Sequence, residues 1–280
     1  MTDSLIDGNT EIIAHIGFPT HSFKSPMIYN PWFEKAGVNA IVVPMGCKSL
    51  DYTDFLRSVF KLSNIRGALI TMPHKVVTMG LIDVVSPTAL IAGACNAVRL
   101  NDRGQLQGDM FDGEGFVRGL LRKGVTLKGA KALVVGSGGV GCAIAASLAA
   151  SGVAELGLFD VNTAASDGLA ARLVQHYLAL TVSTASNDPA GFDVVVNATP
   201  MGMNEGDAMP MDTARIASST FVGEVVLRTE MTAFLQAAKA RGCAVQVGID
   251  MLFEQIPAYL EFFGLPSTTP EELRALARLG

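Results

Sequence analysis

Short apolar, β-branched runs alternate along this chain with segments whose apolar residues recur at helical spacing. Residues 12–16 (Ile-Ile-Ala-His-Ile) read as a strand and 26–35 as a helix opened by Ser25-Pro26. A strand over 39–43, a helix over 50–60 and a strand over 67–71 follow. The runs 95–100 and 105–108 flank Asn101-Asp102-Arg103-Gly104 and predict a hairpin. A helix over 113–122 is stopped by Lys123-Gly124. Beyond it the pattern predicts strands near 132–136, 156–160, 180–184, 192–197, 220–226 and 244–247. Helices are expected near 139–150, 164–178 and 231–241, with a final pair at 251–263 and 270–279. Such alternation predicts the α/β class, with mostly parallel sheets covered on both faces.

One strand-to-helix junction carries chemistry. Ala132-Leu133-Val134-Val135 leads into Gly136-Ser137-Gly138-Gly139-Val140-Gly141, an Ala-rich helix follows, and the next apolar run ends in Asp160. Together these make a Rossmann dinucleotide-binding fingerprint. Gly136 permits the tight turn, Gly138 lets backbone approach a pyrophosphate, and Gly141 lets the helix pack on the strand. With Gly139 and Val140 they open a helix whose free N–H groups favour phosphate. Asp160 can accept hydrogen bonds from ribose hydroxyls and would repel a 2′-phosphate, and residues 161–166 contain no Lys or Arg. The expected cofactor is NAD. A turn acid or helix N-cap is the plainer reading of Asp160.

The loop lies in mid-chain, so enough residues precede it for a separate domain. Residues 1–110 plus 249–280 are expected to form a substrate and catalytic domain, and 111–248 a Rossmann NAD-binding domain. Gly202–Pro210 is the loosest segment, a candidate mobile loop near the cofactor.

With 49% hydrophobic and 17% charged residues over 280 positions, a sizeable core is expected and disorder is not. A net charge of −5 argues against nucleic acid or an anionic membrane surface as partner. The 4 cysteines show no C-x-x-C spacing and read as reduced thiols of a cytoplasmic protein. No signal-peptide plan opens the chain, and no apolar run reaches the roughly 20 residues of a membrane span. His15, His21, His74 and His176 lack ligand spacing, so no metal is expected. The sequence leaves monomer and homodimer open.

The motifs resemble those of the shikimate/quinate dehydrogenases, in order and over nearly the whole chain. Gly17 to Pro26 is similar to that family's opening loop, where serines hold a substrate carboxylate, and Ser25 falls on one of them. Thr71-Met72-Pro73-His74-Lys75 resembles the segment with the catalytic lysine. Gly93-Ala94-Cys95-Asn96 resembles the stretch supplying a substrate-binding Asn, and Gly108 to Gly113 the segment with the catalytic Asp. Asn197-Ala198-Thr199-Pro200-Met201-Gly202 looks like the loop beside the nicotinamide, and Gly248 to Gln255 like the helix start that supplies a substrate-binding Gln. The resemblance implies Lys75 and Asp112 as a catalytic pair in an interdomain cleft. It implies Ser25, Thr71, Asn96 and Gln255 on the substrate, and Asn197, Thr199, Pro200 and Met201 on the cofactor.

Several positions depart from the family. Phe23 stands where the first substrate serine would be, and Leu69, Met110, Phe111, Ala97 and Leu227 replace polar residues. The expected pocket is therefore poorer in hydroxyl partners, with Phe23, Met110 and Phe111 lining it. The expected activity is hydride transfer between NAD and a cyclic hydroxy acid: shikimate, quinate or a less hydroxylated relative. Lys75 is expected to move the hydroxyl proton while Asp112 orients it. The alternatives are a low-activity or non-catalytic NAD-binding sensor and, less well supported by the motifs, a methylenetetrahydrofolate dehydrogenase-like enzyme.

Overall fold

The structure, a computed structural model, describes residues 6–279. It divides into two compact units, Met1–Phe111 with Ile256–Gly280, and Asp112–Gln255.

The first unit contains β1 (Glu11–Gly17), α1 (Pro26–Ala36), β2 (Ala40–Gly46), α2 (Tyr52–Val59), β3 (Ile65–Ile70), β4 (Val84–Val85), α3 (Pro87–Ala92), β5 (Ala97–Leu100) and β6 (Leu106–Asp109). Its six-stranded sheet runs β2-β1-β3-β5-β6-β4. The strands β2, β1 and β3 are parallel, and the hairpin β5–β6 joins antiparallel to β3. Parallel strands need crossovers, and α1 and α2 provide them. Pro26 fits the start of α1, and Gly37, at φ 67°, ends it in the left-handed conformation that favours glycine. Ala14, Ile16, Ile70 and Val98 pack with Tyr52 and Leu56 as one core.

In the second unit, α4 (Asp112–Arg122) precedes β7 (Lys131–Val135), α5 (Gly139–Ala150), β8 (Glu155–Phe159), α6 (Thr163–His176), β9 (Thr181–Ser183), β10 (Val194–Asn197), β11 (Phe221–Glu224), α7 (Ala233–Ala240) and β12 (Val245–Gln246). Its six strands are all parallel, in the order β12-β11-β10-β7-β8-β9. This is the doubly wound arrangement, with the order reversing between β10 and β7.

The helix α8 (Gly248–Phe262) begins in the second unit and ends in the first, and α9 (Pro270–Leu276) closes the chain. The division falls inside α8, after Gln255, rather than at residue 249. Glycines explain why the early turns of α8 stay with the second unit. A Cβ on Gly115 of α4 would lie 2.7 Å from the Met251 carbonyl oxygen, and one on Gly248 would collide with the Val226 carbonyl. The tail joins the first unit through Arg66, whose Nε donates to the Phe263 carbonyl (2.5 Å), and through Arg99, which lies over the Phe262 ring.

The strand β4 and helix α3 were not expected from the sequence. Two residues carry no periodicity, and α3 has six, started by Ser86 accepting from Ala89 N. No helix among the described residues is long and apolar enough to cross a membrane.

Candidate active site

In the first unit the parallel strands β1, β2 and β3 end on one edge, where α/β sheets hold ligands. Gly17 lets two loops meet there. A Cβ would stand 2.8 Å from the Met72 carbonyl oxygen and 3.0 Å from Phe23 Cζ. Backbone bonds fix the junction: Phe18 N to Met72 O (3.0 Å), Thr71 N to Ile16 O (2.9 Å) and Cys47 N to Gly17 O (3.1 Å). Thr71 is therefore held at the end of β3. Ser25 directly precedes α1, and its hydroxyl makes no capping bond. The Lys75 carbonyl accepts from Cys95 N (2.9 Å), bringing the Lys75 loop beside Asn96. Asn96 is 1% exposed, and its Oδ1 accepts from Phe111 N (2.9 Å). Ser25, Thr71, Lys75 and Asn96 thus share one edge of the unit.

The base of the Lys75 loop is rigidly built. The His74 ring stacks on Tyr52 at 3.9 Å, and its Nε2 donates to the Cys47 carbonyl (2.8 Å). Thr78 Oγ1 donates to the His74 carbonyl and meets the Tyr52 hydroxyl.

The expectation that Met110 lines a pocket with Phe23 and Phe111 is corrected. Met110 is 1% exposed and belongs to the core. Phe111 is half-buried and packs edge-on against Tyr259 and Phe262 of the tail. Leu69 is also buried. Phe23 lies at the strand edge, half-buried and stacked on His15.

In the second unit the glycine loop joins β7 to α5. Gly136 has φ 104°, and a Cβ there would lie 2.7 Å from the Ala198 carbonyl oxygen. A Cβ on Gly141 would collide with the Gly136 carbonyl, whereas Cβ atoms on Gly138 and Gly139 would meet nothing within 4 Å. The last two glycines leave an open cradle. The first turn of α5, which contains Val140, has no side-chain cap, so its N–H groups stay available to phosphate. Ser137 Oγ is buried there with no partner. Asp160 Oδ2 accepts from Ser137 N (2.7 Å) and Oδ1 from Asn162 N (2.9 Å), so this carboxylate braces the loop from the end of β8. These residues fit a nicotinamide dinucleotide.

At the end of β10, Asn197 is fully buried and bonds both to its own loop and to Glu224 on β11. Its Nδ2 donates to the Met201 carbonyl (3.0 Å), and its Oδ1 accepts from Thr199 N and Oγ1. Thr199 Oγ1 accepts in turn from Met201 N (3.1 Å). Asn197 therefore shapes the loop that presents Pro200 and Met201. Beside it on β11, buried Glu224 accepts from Thr232 Oγ1 (2.9 Å), and burial pushes its carboxyl up to about 7.

Asp112, the first residue of α4, is buried. Gly113 brings α4 against the Ala143 carbonyl of α5. Gln255 lies across Gly115 on α8, and its Oε1 is buried without a partner. Among the described residues, no group of three or more His, Cys, Asp or Glu could hold a metal.

Two residues escaped the sequence reading. Glu224 gave no signal, because a carboxylate at a strand end is common. His15 did give one, as the polar interruption of the apolar run 12–16.

The fold and these two sites define a two-domain α/β protein in which the second domain has the dinucleotide-binding architecture. Residues 16–98 match the family described as the shikimate dehydrogenase substrate binding domain. A shikimate dehydrogenase (NADP(+)) of Rubrobacter xylanophilus is 31% identical over 280 residues, covering 98% of both chains. Among solved structures, shikimate 5-dehydrogenase from Listeria monocytogenes, in complex with shikimate and NAD, superposes with TM-score 0.90 at 25% identity, covering 96% of this chain and 97% of that one. Quinate dehydrogenase from Corynebacterium glutamicum, in complex with NAD, gives 0.84 at 28% identity, with 95% and 98% covered. The chain belongs to the shikimate dehydrogenase family.

Proposed function

We propose that the protein oxidises a cyclic hydroxy acid of the shikimate and quinate class, or reduces the corresponding ketone, with NAD. The observation that carries this is the strand-end cluster of Ser25, Thr71, Lys75 and Asn96 in a chain that also holds an intact dinucleotide loop. A bound nicotinamide would supply the hydride acceptor. Lys75 takes the proton from the reacting hydroxyl as its carbon loses hydride, leaving a carbonyl, and returns that proton in reduction. Asp112 is its partner in proton transfer. Ser25 binds the carboxylate, and Thr71, Asn96 and Gln255 bind ring hydroxyls. The orphaned Gln255 Oε1 supports a polar ligand at that position, since an unbonded buried acceptor costs about 1–3 kcal/mol.

Asp160, with no basic side chain at 161–166, supports NAD although the Rubrobacter relative is named for NADP(+). Arg172 of α6 lies toward the loop, but its guanidinium donates to the Gly168 carbonyl and sits 3.9 Å from Cys142 Sγ. Asp160→Ala tests the preference: the ratio of NAD to NADP efficiency should fall by about tenfold or more as ribose contacts and charge repulsion vanish. An unchanged ratio, or a wild type that favours NADP, refutes it. The four buried free thiols support a cytoplasmic enzyme, active as a monomer or homodimer on a small-molecule substrate.

A further inference from the structure

His15 occupies an unusual place for a histidine. It lies in β1 with 6% of its surface exposed, between Ala14 and Ile16, which are fully buried. Its ring stacks on Phe23 at 4.1 Å between centroids, tilted 26°. Its Nδ1 is buried and hydrogen-bonds to nothing in the chain. Native proteins rarely leave a buried ring nitrogen unpaired, and each such case calls for an explanation. Burial, with the charge of Lys75 adding to it, pulls this imidazole down to about 4, so it is neutral at physiological pH. His15 lies two residues before Gly17, at the strand end where the Phe23 and Met72 loops meet.

We propose that His15 is a substrate-binding and specificity residue whose Nδ1 pairs with a ring hydroxyl of the substrate, one other than the hydroxyl being oxidised. A hydroxyl both donates and accepts, so it suits either tautomer of an uncharged imidazole. A carboxylate would have to lose its water against a neutral ring and the face of Phe23, which is unfavourable. The reacting hydroxyl belongs to Lys75. Phe23 holds the imidazole plane by stacking. This rests on the dehydrogenase reading and adds to it a hydroxyl contact supplied by β1.

Steady-state kinetics of wild type, His15→Leu and His15→Asn test it, on shikimate and on its analogues each lacking one non-reacting ring hydroxyl. His15→Leu should lower kcat/KM for shikimate about tenfold to a hundredfold, mainly through KM. That penalty should disappear on one of the deoxy analogues. His15→Asn, which keeps a hydrogen-bonding group, should recover part of the loss. The thermal midpoint of His15→Leu should equal or exceed that of wild type, because no bond within the chain is lost. An equal penalty on every analogue, or none on shikimate, overturns the assignment while leaving the dehydrogenase reading intact. A wild type that neither turns over nor binds any of these compounds overturns both. If His15→Leu does not fold, imidazole nitrogen resonances of the wild type decide the matter. A shift of His15 Nδ1 on adding shikimate supports the contact, and no shift at saturation refutes it.

Discussion

Glu224 shows how a single buried group sets a pH dependence. It accepts side-chain hydrogen bonds from Thr232 and Asn197, and burial outweighs them and raises its carboxyl from 4.5 to about 7. Between those values the folded chain keeps a proton that the unfolded chain has released. The stabilisation is complete below pH 4.5 and is lost as pH rises through 7, up to about 3 kcal/mol. His15 acts in the opposite sense. Its folded value lies near 4 against 6.5 unfolded, so its contribution is present above 6.5 and is lost as pH falls toward 4. Glu224→Gln should therefore raise the urea midpoint at pH 8 and change it little at pH 4.5. Equal shifts at both would contradict the assignment. Neither group's titration was legible in the sequence, because burial comes from strands that pair only in the fold. Lys75 and Asn96 were legible as motif residues, but Asn96 as the acceptor for Phe111 N was not. The burial of Met110 and the packing of Phe111 on Tyr259, more than 140 residues away in sequence, were not legible, because such contacts form only in the fold.

The glycine loop illustrates how elements divide their work among like residues. Gly141 has no room for a Cβ, because the Gly136 carbonyl occupies its place, whereas Gly138 faces open space at φ −73°. Gly141→Ala should push α5 off the loop at the end of β7 and lower stability by about 1–3 kcal/mol, weakening dinucleotide binding with it. Gly138→Ala should leave stability within about 0.5 kcal/mol of wild type but still weaken dinucleotide binding, since only a bound pyrophosphate would meet the new methyl. Thermal unfolding and calorimetric titration separate the two. Equal destabilisation by both would contradict this division. The sequence showed this loop and most helices and strands plainly, because long apolar periods and Gly or Pro stops are local signals. It did not show why α4 carries Gly113, Gly115 and Gly119. Glycine inside a helix reads as weakness. In the fold these positions receive the Ala143 carbonyl, Gln255 and the Gln246 side chain.

For the molecule as a whole, one chain supplies a substrate-type unit and a dinucleotide-binding unit, joined by α8 and by the step from Phe111 to Asp112. The two-domain plan was legible because the glycine loop falls in mid-chain. The point of division within α8 was not, since it depends on close approaches at Gly115 and Gly248. The central claim is hydroxy-acid dehydrogenation with Lys75 as the proton-transfer group. The most direct measurement is the appearance of reduced nicotinamide when wild type and Lys75→Ala are given shikimate or quinate with NAD or NADP. The account predicts reduction by wild type, faster with NAD. It predicts a loss of turnover of about 10²–10⁴-fold in Lys75→Ala, with NAD affinity kept. A wild type that reduces neither cofactor with either acid, or a Lys75→Ala variant with near-normal turnover, would contradict it.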